Sequence, residues 1–460
     1  MKKILIANRG EIACRIIRAC QALGIATVAV YSEADAKSLH VELADFAEPI
    51  GPAPAAQSYL NGERILEAAL RHGADGVHPG YGFLSENTGF ARAAEAAGVC
   101  WIGPAPESIE AMGDKQRARA IAQAAGVPTL PGSRRFAAGT IEALDGIEQA
   151  ALDVGYPLLV KATGGGGGIG MRRVDSPEQL LAAVAATQAL AAKAFKDGTV
   201  YLERLVARAR HIEIQVFGHG DGTAVHLFER ECSVQRRFQK IIEESPAPGL
   251  PAAMRERMAA AAVALAAHQR YRGPGTVEFI VDADTLEFFF LEMNTRIQVE
   301  HPVTEMVTGW DLVQAQIRLA AGSFTPQPQA QIAQRGAAVE CRLYAENPAK
   351  NFFPSPGPLT VFRLPLAMAH VRVDTGVREG DQITPFYDPM IAKLIVWGED
   401  REAALVRLRE ALAASRIEGV KNNVGFLAAV AAHADFIAGE VDTGWVERQR
   451  QGLLTDRVGA

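Results

Sequence analysis

Polar and apolar side chains alternate along the stretch LEFFFLEMNTRIQVE, residues 286–300. In an extended chain successive side chains point to opposite faces, so this period of two predicts a strand that runs on into a loop. One face is apolar, and the other carries two carboxylates, two amides and a guanidinium, a concentration of polar groups for which structure alone gives no reason. The structural alternative is a half-exposed edge strand with solvated charges. The polar positions are Glu292, Asn294, Arg296, Gln298 and Glu300, and the apolar ones are Phe289, Leu291 and Met293.

A second carboxylate precedes this stretch. GTVEFIV at 275–281 predicts a strand, and DADT at 282–285 predicts its turn. A hairpin there brings Glu278 roughly opposite Glu292. Two carboxylates held close together repel each other unless a cation lies between them, and oxygen ligands favour a hard ion such as Mg²⁺. The pair therefore predicts a magnesium site.

Two lysines stand where phosphates could be bound. Lys115 lies in the first turn of a helix that Asp114 is expected to cap, a position where a cation opposes the helix dipole unless an anion is near. Lys161 ends a predicted strand at 156–162, just before five glycines at 164–168 whose amides could close over phosphates. No Walker GK[ST] follows. The alternative for Lys115 is an ordinary surface lysine, and the alternative for the glycine run is a flexible linker.

The elements around these residues alternate at first between strand and helix. A strand at 3–7, a helix at 10–23 and a strand at 26–31 form a Rossmann-like opening, but residues 8–13 hold one glycine where a dinucleotide fingerprint needs three. Further strands are predicted at 99–103, 199–205 and 211–217, and helices at 180–193 and 311–321. After a Pro/Gln-rich break at 325–334, a strand at 337–343 carries Arg342, and the rest is β-rich with a closing helix at 401–415.

Size and composition narrow the class of protein. A chain of 460 residues predicts about three domains. The net charge of −6, with no long basic run, argues against a nucleic-acid partner. Five cysteines without a CxxC pair are typical of a reducing compartment, and Cys232 is expected to be a packed thiol. No stretch is apolar enough for a signal peptide or a membrane span, so we expect a cytoplasmic protein with no membrane partner.

Eight motifs in order give the chain a specific resemblance. It resembles biotin carboxylase, the ATP-grasp component of biotin-dependent carboxylases, over nearly its whole length. The motifs are ANRGEIACRIIRAC (7–20), HPGYGFLSEN (78–87), MGDK (112–115), the glycine run, RHIEIQV (210–216), ERECSVQRR (229–237), EMNTRIQVEHPVTEM (292–306) and VECR (339–342).

The resemblance implies a multidomain fold of α/β and α+β type. It implies a Rossmann-like N-terminal domain at 1–113, an ATP-grasp domain at 114–330 with a mobile glycine-rich lid at about 133–204, and a β-rich C-terminal domain at 331–460. The implied reaction phosphorylates bicarbonate with ATP to carboxyphosphate and passes the carboxyl group to N1′ of biotin. ATP, one or two Mg²⁺ ions (with Mn²⁺ as a substitute) and carrier-bound biotin are the implied cofactors and substrates.

Residue roles also follow from the resemblance alone. Glu300 is the implied general base, Lys240 neutralises charge on bicarbonate or carboxyphosphate, and Arg342 stabilises the biotin enolate. Arg296, Gln298 and the amide of Val299 bind bicarbonate, and Tyr81 and Gly82 neighbour the ureido ring. Glu278, Glu292 and Asn294 hold the metal. The implied ATP contacts are Lys115, Lys161, Gly166, Gly167, Met171, Glu203, Arg204, His211, Gln235 and Lys240.

Partners follow from what the sequence lacks. No AMKM biotinylation site is present, so the carrier is expected to be a separate biotin carboxyl carrier protein or domain, with a carboxyltransferase subunit that sets the final acceptor. A homodimer is a further expectation, although Ala22 removes a charge that some dimeric members place at their interface.

Two other positions depart from the family pattern and leave alternatives open. Phe238 stands where a histidine or another polar residue is common, and Ile169 stands where many members have arginine. These two positions suggest one alternative, a non-catalytic relative that senses nucleotides. A separate alternative is another ATP-grasp ligase that activates a different carboxylate, and the set Arg296, Gln298 and Glu300 argues against it.

Overall fold

A parallel sheet of five strands begins the chain in the computed structural model, which describes residues 1–139, 141–163, 170–195 and 197–455. The strands are β1 (Lys3–Ile6), β2 (Ala26–Ser32), β3 (Phe46–Gly51), β4 (Gly76–His78), β5 (Cys100–Trp101), β6 (Leu158–Ala162), β7 (Met171–Val174), β8 (Val200–Arg204), β9 (Ala209–His219), β10 (Ala224–Arg236), β11 (Gln239–Ser245), β12 (Arg272–Asp282), β13 (Phe288–Asn294), β14 (Ala337–Tyr344), β15 (Glu346–Asn347), β16 (Phe353–Pro354), β17 (Gly357–Pro358), β18 (Val361–Arg363), β19 (Val371–Thr375), β20 (Gln382–Ile383), β21 (Met390–Gly398) and β22 (Arg416–Glu418).

Helices cover and connect these strands. They are α1 (Gly10–Ala22), α2 (Leu39–Leu43), α3 (Gly62–Arg71), α4 (Thr88–Ala96), α5 (Pro106–Gly113), α6 (Lys115–Ala124), α7 (Ile147–Val154), α8 (Leu180–Phe195), α9 (Ala252–His268), α10 (His301–Thr308), α11 (Leu312–Ala320), α12 (Arg401–Ala414), α13 (Val424–Ala432), α14 (Ala434–Ala438) and α15 (Trp445–Thr455). Among the described residues, no helix is both long and apolar enough to cross a lipid bilayer.

The chain divides into two compact units. The first comprises Met1–Val127, Arg210–Phe279 and the chain from Glu292 onward, and the second comprises Pro128–Ala209 and Ile280–Leu291. The predicted glycines Gly166 and Gly167, and the departure at Ile169, lie outside the described residues.

The N-terminal sheet has the strand order β3-β2-β1-β4-β5, with all its pairs parallel. The run Ile4, Leu5 and Ile6 is fully buried, as expected for a central parallel strand that is covered on both faces. Ile12 and Ile16 of α1 pack into the same core as Ile4 and Ile6. The predicted Rossmann-like opening is therefore confirmed.

A larger sheet carries most of the candidate site. Its order is β13-β12-β9-β10-β11-β14-β21-β19. The predicted strands at 211–217, 275–281 and 337–343 lie within β9, β12 and β14, and the predicted hairpin neighbours β12 and β13 are adjacent. Because β14, β19 and β21 extend this sheet, the chain beyond the Pro/Gln-rich break adds strands to the sheet begun before it.

The C-terminal part holds more helix than the sequence predicts. The closing helix is confirmed as α12, but α13, α14 and α15 follow it. Helix α13 reads VGFLAAVAA, and Val424, Phe426, Leu427 and Val430 are all buried. A segment that is apolar on every side gives no amphipathic period, which explains why the pattern did not reveal it.

The second unit contains an antiparallel sheet with the order β7-β6-β8. Its core includes Phe136, Leu158, Val160, Val184 and Leu202. The predicted helix at 180–193 lies within α8, and the predicted strand at 199–205 contains β8. This small sheet places Lys161 on its middle strand.

Candidate active site

The polar stretch that follows β13 is not one extended edge. β13 ends at Asn294 and α10 begins at His301, so the segment between them is a loop, and Glu300 directly precedes the helix with φ −82° and ψ 13°. Leu291 is 40% exposed, whereas Phe288, Phe289 and Phe290 are all buried, so the apolar face also departs from a simple alternation. The predicted run of the strand into a loop is confirmed, but the expectation that one polar edge continues from Glu292 as far as Glu300 is wrong. Tertiary contacts, not strand parity, bring it to the site.

The centre of the site is an ammonium group among three carboxylates. Nζ of Lys240, on β11, lies 2.6 Å from Glu213 Oε2, 2.9 Å from Glu278 Oε1 and 2.7 Å from Glu300 Oε1. Glu213 and Glu300 are fully buried. Burial by itself lowers the pKa of Lys240, but the three carboxylates outweigh it and raise that pKa well above its usual value. Lys240 is therefore a fixed cation at neutral pH.

Arg342 completes the surroundings of Glu300 from β14. Its guanidinium donates to Glu300 Oε2 at 2.9 Å and to Glu243 Oε1 at 2.6 Å. Burial raises the pKa of Glu300, but Lys240, Arg342 and Arg230 reverse the effect and hold it well below the usual value. Burial raises the pKa of Glu243 to about 7, and Arg342 only partly opposes that rise. Glu300 is thus held as an ionised carboxylate between two fixed cations.

Arg296 organises the loop after β13. Its guanidinium donates to Gln298 Oε1 at 2.7 Å, to Asn294 Oδ1 at 2.9 Å and to Glu86 Oε2 at 3.1 Å. The Gln298 amide donates in turn to Glu278 Oε1 at 3.0 Å. The predicted anion-binding residues Arg296 and Gln298 therefore share one hydrogen-bond network, which fixes the guanidinium for an anion to approach.

The predicted metal ligands lie beside Lys240. The Asn294 amide donates to Glu278 Oε1 at 2.9 Å, and His211 Nε2 lies 2.8 Å from Glu278 Oε2. Burial, followed by the charge of Glu278, raises the pKa of Glu292, so these two carboxylates repel each other as placed. A divalent cation would relieve this repulsion through oxygen donors, and the residues therefore fit Mg²⁺.

Tyr81 and Gly82 follow the first sheet. The Tyr81 hydroxyl donates to Glu11 Oε1, and its carbonyl accepts from Asn8 Nδ2 at 2.7 Å. Burial and the Glu11 carboxylate raise the pKa of Tyr81 well above its usual value, and the charge of Arg342 opposes that rise. Gly82 adopts φ +67°, a left-handed conformation that favours glycine. Tyr81 thus keeps its hydroxyl proton, although the positive charge of Arg342 acts on it.

Several predicted ATP contacts lie in the first unit with Lys240. The Asp114 carboxylate caps α6 by accepting from the backbone of Gln116 and Arg117, as expected, and Lys115 opens the helix. The charge of Lys115 lowers the pKa of Glu292, although burial dominates. Gln235 Nε2 lies 2.8 Å from His211 Nδ1. Lys115, His211 and Gln235 therefore surround the same acidic centre.

The remaining predicted ATP contacts among the described residues lie in the second unit. Lys161 Nζ forms an ion pair with Glu203 Oε1 across β6 and β8. Met171 faces Lys161 on β7 and is 42% exposed. Arg204 NH1 lies 3.7 Å from Glu287 Oε2. The predicted adenine and phosphate contacts Glu203 and Lys161 are thus paired with each other in this structure.

Sequence reasoning missed several charged residues of the site. They are Glu11, Glu86, Glu213, Glu243 and Lys393. Glu213 follows His211 by two positions on β9, so strand parity could have found it. The others are contributed by elements whose pairing no local pattern specifies. Cys232 is fully buried, and burial raises the pKa of its thiol well above the usual value, which confirms a packed thiol.

The fold and this site define a multidomain α/β protein with an ATP-binding domain. Residues 114–327 match the family model described as "Carbamoyl-phosphate synthase L chain, ATP binding domain". Residues 1–109 match "Biotin carboxylase, N-terminal domain", and residues 340–448 match "Biotin carboxylase C-terminal domain". The chain belongs to the biotin carboxylase family. The resemblance and the fold class expected from the sequence are confirmed.

Individual relatives agree with the family. The chain is 50% identical over 456 residues to the mitochondrial methylcrotonoyl-CoA carboxylase subunit alpha of Glycine max, covering 99% of this chain and 62% of that protein. It is 48% identical over 447 residues to biotin carboxylase 1 of Bacillus subtilis (strain 168), covering 97% and 98%. The chain thus spans less than two thirds of the first relative and nearly all of the second.

A solved structure gives the same result. The biotin carboxylase domain dimer of the Hydrogenobacter thermophilus 2-oxoglutarate carboxylase, in complex with MgADP, ADP and bicarbonate, matches with a TM-score of 0.89 and 44% identity. The match covers 98% of each chain. The fold described above is therefore that of a biotin carboxylase over almost its whole length.

Proposed function

We propose that this chain carboxylates biotin on a carrier, using ATP and bicarbonate through carboxyphosphate. The observation that carries the proposal is the position of Glu300, whose two carboxylate oxygens lie 2.7 Å from Lys240 Nζ and 2.9 Å from an Arg342 nitrogen. Bicarbonate is a weak nucleophile and ATP is polyanionic. The reaction therefore needs a base that stays ionised and fixed cations around it.

Glu300 is the proposed general base and accepts the proton of bicarbonate as its oxygen attacks the γ-phosphorus. The lowered pKa of Glu300 keeps it ionised before the reaction. Arg296, Gln298 and the Val299 amide bind the bicarbonate, and Lys240 compensates the negative charge that develops on it. ADP leaves, and carboxyphosphate carries the activated carboxyl group.

Glu278 and Glu292 are the proposed Mg²⁺ ligands, with Asn294 beside them. One or two bound ions, or Mn²⁺ in their place, would neutralise the phosphate oxygens of ATP. The support from this chain is the repulsion between Glu278 and the half-buried Glu292, which an added cation would relieve. His211, Gln235 and Lys115 are proposed nucleotide contacts around this centre, and Lys240 is a further one.

The biotin side of the site is proposed at Arg342, Tyr81 and Gly82. Arg342 would stabilise the enolate of the ureido group once N1′ loses its proton, because a buried guanidinium is a fixed positive charge. The neutral Tyr81 hydroxyl and the open backbone at Gly82 would border the ring. The carboxyl group then passes from carboxyphosphate to N1′, and inorganic phosphate leaves and takes up the proton that N1′ has lost.

The other expectations complete this proposal. Lys161, Met171, Glu203 and Arg204 of the second unit are proposed nucleotide contacts, and the divisions at 1–113, 114–330 and 331–460 are the proposed domains. A carrier protein or domain, a carboxyltransferase subunit and a homodimer are the proposed partners. All five cysteines are free thiols, which supports a reducing compartment such as the cytoplasm.

A turnover assay tests the proposal. Purified protein is given ATP, Mg²⁺, radiolabelled bicarbonate and free biotin, and both ADP release and labelled carboxybiotin are measured. Turnover that needs bicarbonate and labels biotin supports the proposal. ADP release with a different carboxylate, but not with bicarbonate, would indicate another ATP-grasp ligase. Tight ATP binding without turnover would indicate a non-catalytic relative.

A further inference from the structure

A fully buried lysine lies directly beside Arg342 on the neighbouring strand. Lys393 of β21 is 0% exposed. In the register of the sheet it is opposite Arg342 of β14 on one side and Asp374 of β19 on the other. A charged amine in a protein core costs free energy unless its hydrogen bonds are satisfied. What Lys393 contacts therefore indicates why a hydrophobic residue does not occupy the position.

The first contact is with the loop that carries the proposed base. Lys393 Nζ donates to the carbonyl oxygen of Val299 at 2.8 Å. That carbonyl belongs to the planar peptide joining Val299 to Glu300, so the bond fixes where the Glu300 main chain begins. Arg342 holds the Glu300 side chain at 2.9 Å. Lys393 thus holds the main chain of Glu300, the proposed base, and Arg342, opposite Lys393 in the sheet, holds its side chain.

The second contact leads to the proposed biotin side. Lys393 Nζ lies 3.2 Å from Glu11 Oε1, and the same oxygen accepts the hydroxyl of Tyr81. One ammonium group therefore connects the Val299 carbonyl with Tyr81 through a single carboxylate oxygen. Burial raises the pKa of Glu11, and Lys393 opposes that rise, so the lysine favours the ionised carboxylate.

Close packing keeps Glu11 within reach of Lys393. A Cβ placed on Gly376, just after β19, would lie 2.2 Å from the carbonyl carbon of Gly10 and 2.4 Å from the nitrogen of Glu11. Only a residue without a side chain permits this approach, so the first turn of α1 lies directly against the end of β19. Glu11 thus has little freedom to move away from the sheet.

We propose that Lys393 is a positioning residue that fixes the bicarbonate-binding side of the site relative to the biotin-binding side. It acts through the Val299–Glu300 peptide on one side and through Glu11 and Tyr81 on the other. This inference rests on the proposed function. It assigns a role in binding both substrates to a residue that touches neither of them.

The test replaces Lys393 with methionine, which has a similar shape and no charge. Because a misplacement of about 1 Å near reacting groups costs up to about a hundredfold in rate, we expect Lys393→Met to raise the KM of bicarbonate and the KM of free biotin about tenfold each and to lower kcat. The KM of ATP should change by less than about twofold, since Lys393 contacts none of the proposed nucleotide residues. Equal rises in all three KM values, or none, would overturn the proposal.

A matched control separates positioning from loss of stability. Arg401→Met breaks another ion pair to a buried carboxylate of the same sheet, at 2.6 Å from Glu244. The other hydrogen bonds of Arg401 go to the carbonyl oxygens of Phe436 and Ile437, which are not proposed substrate contacts. The substitution should lower the Tm but leave the KM of bicarbonate and the KM of biotin unchanged. A bicarbonate KM that rises as much in Arg401→Met as in Lys393→Met would reduce Lys393 to a structural role.

Two further variants keep the inference testable if Lys393→Met does not fold. Tyr81→Phe removes only the hydroxyl that Glu11 binds, and Glu11→Gln removes only the charge next to Lys393. Both are expected to raise the KM of biotin about tenfold or more, the worth of a hydrogen bond to a charged group. An unchanged KM of biotin in both variants would overturn the proposed connection from Lys393 through Glu11 and Tyr81 to the biotin side. A wild-type protein without bicarbonate-dependent turnover would instead refute the proposed function itself.

Discussion

Lys240 Nζ lies 2.7 Å from Oε1 of Glu300, although sixty positions separate the two residues in the chain. The same ammonium also contacts Glu213 and Glu278. Glu300 therefore belongs to a buried cluster in which negative groups outnumber the lysine, and Arg342 and Arg230 supply the remaining positive charge. The ionisation of the proposed base depends on these cations.

Glu300→Gln tests the base directly. The amide keeps the size of the side chain but accepts no proton, so we expect bicarbonate-dependent ATP hydrolysis to fall by about a hundredfold or more. Nucleotide binding, measured by titration calorimetry, should persist because Glu300 is not a proposed nucleotide contact. Glu402→Gln, at an exposed position in α12, is the matched control and should be fully active. Full activity in Glu300→Gln would refute the assignment.

Lys240→Met should shift the pH dependence of any remaining activity. Lys240 lowers the pKa of Glu300 in the folded protein, so its removal raises that pKa and the base is protonated at a higher pH. The acid limb of the pH–rate profile for bicarbonate-dependent ATP hydrolysis is expected to move upward, together with a loss of activity. Lys421→Met, at an exposed lysine, should leave the profile in place. An acid limb that stays at its original pH would contradict the electrostatic role.

Metal dependence should follow Glu278 and Glu292. In the double variant Glu278→Gln with Glu292→Gln, we expect that Mg²⁺ no longer supports ATP hydrolysis or raises the Tm, whereas we expect it to do both in the wild type. Because burial and Glu278 raise the pKa of Glu292, protons compete with the ion, and the Mg²⁺ affinity of the wild type should fall as the pH falls. Glu63→Gln with Glu67→Gln, two exposed residues of α3, is the control. A magnesium-induced Tm rise that survives in the double variant would place the metal elsewhere.

Glu243 should make the free energy of unfolding fall as the pH rises, which is opposite to the usual sign for a carboxylate. Its pKa is about 7 in the folded protein and near 4.5 when unfolded, so between these values the folded state binds more protons. The contribution of Glu243 is therefore present at low pH and is lost as the pH rises through about 7. The stability of the wild type relative to Glu243→Gln should fall by up to about 3 kcal/mol between about pH 5 and about pH 8. Thermal melts of both proteins at each pH measure this difference, and a constant difference would contradict the raised pKa.

Phe238 offers a test of the nucleotide side. It lies in the turn between β10 and β11, is 74% exposed, and adopts φ +63°, a conformation that histidine tolerates better than most residues. The family resemblance leads us to expect histidine or another polar residue there. Phe238→His is expected to lower the KM of ATP about threefold, the worth of one added hydrogen bond. Phe353→His, also at an exposed phenylalanine, should leave that KM unchanged.

The sequence by itself determined the local elements and most of the proposed chemical groups. Buried runs and helix caps predicted β1, α1 and the Asp114 cap, and the motif around Glu292 indicated the acidic strand and the anion-binding loop. The local elements depend on neighbours within a few positions, so periodicity and capping rules suffice to find them, whereas the anion-binding role of the loop followed from the family resemblance.

Only the tertiary structure decided how the groups meet. Glu213, Lys240, Arg342 and Lys393 come from β9, β11, β14 and β21, and the order of these strands in the sheet is not encoded in any local period. The alternation through residue 300 also predicted that one polar edge extends to Glu300. That prediction is wrong, because β13 ends at Asn294 and Glu300 reaches the cluster from a loop. Local patterns specify which face a side chain takes, whereas long-range strand pairing specifies which charges become neighbours, and that pairing sets the pKa values of the site.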